Sequence, residues 1–166
     1  DAFALKSNLK AAHAVKSGLF DPELVPVEVT IKEVEEGKMV TRHYTHKRDE
    51  GPRGDSTLEG LAKLRPAFKE GGTVTAGNSS QMSDGAAAVV IMSAEKANEL
   101  KLKPLVRFVA FATGGVEPEL MGLGPMVAIP KVLKIAGMKL QDLDLIELNE
   151  AFAAQGLAVM RNVGLN

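Results

Sequence analysis

Three groups of residues in the 166-residue chain have the types and spacing to do chemistry. The first is Leu148-Asn149-Glu150-Ala151-Phe152-Ala153, which reads as the junction of a strand and an apolar helix. Side chains at the carboxyl end of such a strand face the usual ligand crevice of α/β sheets. An amide there can hold a water or donate to a developing oxyanion, and losing such a donor typically costs ~10²–10³ in rate. Asn149 suits a helix N-cap equally well. The second group is Gly77-Asn78-Ser79-Ser80-Gln81-Met82-Ser83-Asp84-Gly85. Its small residues let a ligand approach the backbone, and its hydroxyls and amides offer hydrogen bonds. The same composition also describes a plain turn-rich connection. The third is Arg53 with Lys63, Arg65 and Phe68 further along. Cations beside an aromatic ring suit a nucleotide, with phosphates for the charges and a base for the ring. They equally suit a solvated charged face. His13, His43 and His46 do not form a convincing metal spacing. Met121-Gly122-Leu123-Gly124-Pro125 could line an apolar pocket or simply fill a core.

The elements that must position these groups are legible in outline. Leu5, Leu9, Ala12 and Val15 recur at helical spacing, which predicts a helix over residues 2–17 that stops at Gly18. Val25, Val27, Val29 and Ile31 alternate with polar neighbours, as a strand with one wet face does. Glu36-Gly37-Lys38 reads as a hairpin tip, with a return strand over 39–44. Ser56-Thr57-Leu58-Glu59 fits a capping box and opens a short helix through Leu58, Leu61 and Leu64 that must end near Pro66. Residues 71–85 are loop. Ala86–Met92 is a short apolar run consistent with a strand buried on both faces, Leu105–Ala112 reads as a second buried strand, and Leu143–Leu148 reads as a strand. Ser93 can cap a helix over Ala94–Leu102. Pro125 suits the first turn of a helix ending at Gly137, and Pro130 should kink that helix or reset its start. Ala151–Val163 is apolar nearly all round, so a helix there should be buried on most sides. Strands alternating with helices predict an α/β fold with a mixed sheet covered by helices.

Composition excludes several classes. Apolar residues are 45% and charged residues 25%, both ordinary for a globular domain. Lys and Arg number 20 against 21 Asp and Glu, so the basic excess of a nucleic-acid binder is missing. No apolar run approaches the ~20 residues that span a bilayer. The absence of Cys excludes a disulfide scaffold, a thiolate metal site and a cysteine nucleophile within these residues. Residues 28–70 carry nine acidic and nine basic side chains in 43 positions, which reads as a solvated excursion over the body of the protein. Asp1–Leu5 reads as a helix already under way, with no initiator Met and no targeting signal, so both ends are expected to be cuts through a longer protein.

The motifs combine. Ala62-Lys63-Leu64-Arg65-Pro66-Ala67-Phe68, Val74-Thr75-Ala76-Gly77-Asn78-Ser79-Ser80, Ser83-Asp84-Gly85-Ala86-Ala87, Met121–Pro125 and Asn149–Ala153 follow one another in an order and spacing that resembles the thiolases. These are the acetyl-CoA acetyltransferases and 3-ketoacyl-CoA thiolases. The likeness runs over essentially all of the chain, and Asp49–Arg53, Gly77–Asp84 with Gln81, and Ala128–Lys131 lean toward the degradative 3-ketoacyl-CoA group.

The resemblance implies part of a fold of two βαβαβαββ halves with a loop, or lid, domain inserted in the first. It makes residues 1–72 mostly that lid, 73–103 the return to the first half, and 104–166 the start of the second. In the whole enzyme it implies thiolysis of 3-ketoacyl-CoA by CoA, or the reverse condensation. The nucleophilic Cys, a His and a second Cys would come from outside these residues, so the chain alone is expected to be inactive. Coenzyme A is then a substrate, and no cofactor or metal is implied. Asn149 matches the position that holds an oxyanion-hole water. Ala151 and Phe152 match positions near pantetheine and thioester, Ser80 and Ala76 match pantetheine contacts, Arg53 and Phe68 match contacts at the nucleotide end of CoA, and Met121 matches an acyl-pocket wall. Gly60 departs from members that carry Ser near the adenine. The resemblance further implies a cytoplasmic homo-oligomer, dimer or tetramer, of bacterial type, working alongside other β-oxidation enzymes, with no nucleic-acid or membrane partner. The rival expectations are an acyl-CoA-binding relative without thiolysis, a ketoacyl-synthase-like protein, which usually has His where Asn149 stands, and a free-standing α/β binding module.

Overall fold

The computed structural model describes residues 1–165, so Asn166, the last residue of the expected second-half segment, lies outside the described residues. Two compact units emerge, Asp1–Asn78 and Ser79–Asn166. Helices and strands are both present, as expected of an α/β chain.

In the first unit, helix α1 spans Ala2–Lys16, and its Ala4 is buried. Strands β1 (Val27–Glu35) and β2 (Lys38–His46) pair antiparallel, with Val29 opposite Tyr44 and Ile31 opposite Arg42. Glu36 and Gly37 form the two-residue loop, with φ of 50° and 77°. A hairpin loop with positive φ at both positions matches the twist of its strands, and glycine is the residue that adopts it without strain. Opposite residues share a face. One face therefore carries Val27, Val29, Ile31, Val40 and Tyr44, and on it Arg42 pairs with Glu35. Helix α2 spans Leu58–Ala62. Its cap is Thr57, one residue after the expected Ser56, whose Oγ1 accepts from the Gly60 N–H at 3.0 Å; with Gly60 at the third helical position, the expected capping box does not form. Leu61 is buried. α1 packs on α2 and on a 3₁₀ turn at Ala76–Asn78.

In the second unit, α3 spans Ala94–Glu99, shorter than the expected Ala94–Leu102. The Ser93 hydroxyl accepts from the Lys96 N–H at 3.1 Å, the N-cap expected from its type. The Glu95 carboxyl, in the first turn, is held below its ordinary pKa by its own backbone N–H and by Ser93. A 3₁₀ turn at Pro118–Leu123 leads into α4, Gly124–Ala136. Pro130 does not reset the start of α4, one of its two expected effects: the helix runs through it. The Lys131 ammonium on the next residue donates to the Thr113 carbonyl at 3.0 Å. Helix α5 spans Ala153–Val163, two residues later than expected. It buries one stripe, Ala153, Gly156 and Val159, rather than most of its circumference. α4 and α5 pack together and on the Pro118–Leu123 turn.

The largest departure concerns the expected strands at 86–92, 105–112 and 143–148. None forms among the described residues, where the hairpin β1–β2 is the sheet present. Val89, Val90 and Ile91 are 83%, 86% and 77% exposed, and Leu105 is 98% exposed. A strand exists through a ladder partner. These segments have the apolar composition of central strands, but no neighbouring strand pairs with them among the described residues.

Gly77 tests the packing of the first unit. A Cβ there would lie 2.4 Å from Leu61 Cδ2 and 2.6 Å from Leu64 Cδ1, too close without displacement. Gly77→Ala should destabilise by about 1–3 kcal/mol. Gly85→Ala, where a Cβ meets nothing within 4 Å, should stay within about 0.5 kcal/mol of wild type. Chemical denaturation midpoints read the difference, and equal midpoints would show that Leu61 and Leu64 do not close on Gly77.

Candidate functional site

The approach to α5 is built by a short backbone pairing. The Ser80 N–H donates to the Ala151 carbonyl at 2.7 Å, and Ser79 and Phe152 form an isolated antiparallel bridge. Two of the segments singled out in the sequence, some 70 positions apart, thus lie side by side. The pairing needs only backbone groups, so small residues suffice at 79, 80 and 151. The Ser80 hydroxyl is exposed and donates to the Gln81 carbonyl at 3.3 Å.

Phe152 has extended dihedrals, φ −138° and ψ 137°, and stands as the N-cap residue of α5. Its N–H is accepted by Gln155 Oε1 at 3.5 Å, a long bond from a side chain one turn into the helix. Asn149 lies three residues before this cap and is exposed. The helix-cap alternative for Asn149 is therefore removed, because the helix begins too late for its amide to reach the orphan N–H groups of the first turn. Ala151 and Phe152 are half-buried.

Met121 sits on the Pro118–Leu123 turn and is 74% exposed. The neighbouring Gly122 faces α5: a Cβ there would lie 2.8 Å from Gln155 Cγ. Ser80, Met121, Asn149, Ala151 and Phe152 all belong to the second unit.

Arg53, Phe68 and Ala76 belong to the first. The Arg53 N–H donates to Asn8 Oδ1 of α1 at 3.2 Å, and the next residue, Gly54, lies against Ala12. α1 thus anchors the backbone at Arg53, whose side chain is exposed and forms no salt bridge among the described residues. Phe68 is 73% exposed, next to a narrow pairing in which the Ala67 N–H donates to the Val74 carbonyl at 2.9 Å and Pro66 bridges Thr75. Ala76 opens the 3₁₀ turn and is exposed. Asn78 organises that turn. Its Oδ1 accepts from the Thr75 N–H at 2.9 Å, and its Nδ2 donates to the Thr73 carbonyl and to Asp1 Oδ1, each at 3.0 Å. Asn8 and Gln155 carried no signal in the sequence, and Asn78 and Lys131 appeared there only as motif members. Each acts on backbone or side-chain atoms distant in sequence or beyond a turn, and residue type alone gives no signal of that. Among the described residues no cluster of His, Asp and Glu could hold a metal ion, and no helix is long and apolar enough to cross a membrane.

Comparison with known proteins follows this geometry. The family model for the thiolase N-terminal domain matches residues 1–95, and that for the thiolase C-terminal domain matches residues 102–166. A 3-ketoacyl-CoA thiolase of Bacillus subtilis (strain 168) is 54% identical over 167 aligned positions, covering 100% of this chain and 43% of that protein. The crystal structure of the Bacillus anthracis acetyl-CoA acetyltransferase superposes with a TM-score of 0.89 at 47% identity, covering 100% of this chain and 40% of that one. Human mitochondrial 3-ketoacyl-CoA thiolase in complex with CoA gives 0.86 at 43% identity, with 100% and 39% covered. The chain spans about two-fifths of the length of the relatives it matches.

The displaced start of α5 gives a direct comparison of two capping candidates. Ser93→Ala removes a cap hydrogen bond and should cost ~1 kcal/mol. Asn149→Ala removes none and should leave the denaturation midpoint within about 0.5 kcal/mol of wild type. Equal losses in the two variants would restore Asn149 to a capping role.

Proposed function

Because this chain belongs to the thiolase family, we propose that a whole protein carrying it is an acyl-CoA acyltransferase that cleaves 3-ketoacyl-CoA with CoA to acetyl-CoA and a shortened acyl-CoA, or runs the reverse condensation. The observation that carries the reading is the pairing of Ser80 with Ala151 at 2.7 Å. It sets side by side two segments that the resemblance assigns independently to the pantetheine arm and the reacting thioester.

The division of labour follows from residue chemistry. The chain has no Cys, so the nucleophilic thiolate comes from sequence outside these residues. That thiolate attacks the keto carbon, and the bond to the adjacent carbon breaks. The departing acetyl-CoA carbanion takes a proton, and the acyl group remains on sulfur as a thioester. A second CoA thiol attacks that thioester, its proton passes to a base, and the enzyme thiolate is released. Each attack raises negative charge on a carbonyl oxygen. Asn149, exposed and free of any capping duty, is suited to hold the water that donates to it. Ser80, Ala76, Ala151 and Phe152 would flank the pantetheine and thioester, and Met121 would wall the acyl chain. Arg53 and Phe68 offer an exposed guanidinium and an exposed ring to the phosphates and adenine of CoA.

In this proposal residues 1–72 are mostly lid, 73–103 return to the first half, and 104–166 open the second. The apolar segments 86–92, 105–112 and 143–148 then find ladder partners in the remaining length that the relatives possess. A homo-oligomer, dimer or tetramer, acting in the cytoplasm with other β-oxidation enzymes completes the reading, and the identity to the Bacillus protein supports its bacterial type.

Two kinetic outcomes follow, both in the whole protein. Arg53→Ala and Phe68→Ala should each raise KM for CoA by roughly tenfold, within the ~1–3 kcal/mol of a lost charge-assisted or stacking contact, with kcat little changed. An unchanged KM in both variants would place the nucleotide elsewhere. Asn149→Asp should lower kcat ~10²-fold or more with KM nearly constant, because a negative charge replaces a group serving a developing negative charge. Its melting temperature should hold, since Asn149 caps no helix. Normal turnover in Asn149→Asp would remove it from the oxyanion site.

A further inference from the structure

Gln155 has no role in the chemistry above, yet two otherwise separate pieces of the second unit meet at it. Its Oε1 accepts from the Phe152 N–H at 3.5 Å, at the point where the chain leaves its pairing with Ser79 and Ser80 and enters α5. Its aliphatic stem lies against Gly122. A Cβ added at Gly122 would sit 2.8 Å from Gln155 Cγ and 3.3 Å from Gln155 Cβ. Those atoms are at the base of the side chain, within a helix, and cannot swing away as a terminal group can. Only a residue without Cβ fits between Gln155 and the Pro118–Leu123 turn, and Met121 is the residue before it. On the far side the turn enters α4, itself held by the Lys131 bond to the Thr113 carbonyl at 3.0 Å.

We infer that Gln155 is a positioning residue that fixes the Met121 turn against the start of α5, and so sets the acyl-chain length the site accepts. The inference rests on the proposed thiolase reading for the identity of the substrate, but its mechanical part does not. α5 also packs on the Pro118–Leu123 turn. A polar head on the cap N–H and an apolar stem on Gly122 couple them through one side chain. If the stem shifts, the turn loses its stop, and the position of Met121 changes with it. Pocket-wall displacements are read most sensitively by discrimination between substrates that differ by a few methylenes.

The test uses the whole protein with three variants. Gln155→Leu keeps the Cβ and Cγ of the stem, with methyl groups in place of the amide, and loses the acceptor. Gln155→Glu keeps stem and acceptor. Gly122→Ala drives the turn away from an intact Gln155. Specificity is read as the ratio of kcat/KM for a long and a short 3-ketoacyl-CoA. Gln155→Leu and Gly122→Ala should each change that ratio by about tenfold, the scale on which pocket walls discriminate methylenes. Gln155→Glu should stay within about twofold of wild type. A merely structural role would lower kcat/KM for both substrates alike and leave the ratio unchanged, which overturns the inference. Amide hydrogen exchange over residues 118–123 is read in the same proteins. Exchange should quicken in Gln155→Leu and Gly122→Ala and not in Gln155→Glu, and unchanged exchange in all three also overturns it. Because exchange needs no turnover, a protein that fails to cleave 3-ketoacyl-CoA would count against the thiolase reading while the coupling of Gln155 to the turn is still decided.

Discussion

The hydrogen bond from the Ser80 N–H to the Ala151 carbonyl is the constraint on which the candidate site depends. It is short, 2.7 Å, and made from backbone alone, so it fixes position without requiring particular side chains. Beside it Phe152 is held extended by its bridge to Ser79, which delays the start of α5 to Ala153. That delay determines what Asn149 can do. Had the helix begun at Ala151, an amide two residues earlier would have been drawn to orphan N–H groups of the first turn. With the start delayed, Asn149 stays exposed on the segment that approaches the pairing.

The first unit shows a different economy. Its charged stretch is mostly the hairpin and the loop around Arg53, and side-chain amides of two Asn residues order the backbone at Arg53 and at the Ala76–Asn78 turn. Asn8 holds the Arg53 N–H, and Asn78 gathers Thr75, Thr73 and Asp1. Arg53 is therefore an exposed side chain on anchored backbone. Such groups contribute little to stability when solvated.

What the sequence revealed divides by the range of the interaction. α1, the hairpin, α3 and α4 depend on local periodicity, a two-residue turn or a single cap, and they form where their residues indicate, with α3 ending at Glu99 rather than Leu102. Thr57 replaces Ser56 as the cap of α2 because neighbouring hydroxyls are equivalent in type, and only the backbone path selects one. Pro130 lies within α4, which does not restart there. The apolar runs at 86–92, 105–112 and 143–148 have strand composition without a ladder, since pairing is the least local of these interactions. Among the site residues, Asn149, Ser80 and Ala151 were visible as motif members. Gln155 was not, because its partners are a backbone N–H three residues back and a glycine on another element.

The central claim is that the 79–80 and 151–152 pairing forms the path of the pantetheine arm. A crystal structure of the whole protein with CoA tests it most directly. The claim predicts pantetheine atoms in van der Waals contact with Ser80 and Ala151, and the CoA sulfur at the end of the arm nearer Asn149. Ordered CoA that touches neither segment would contradict it.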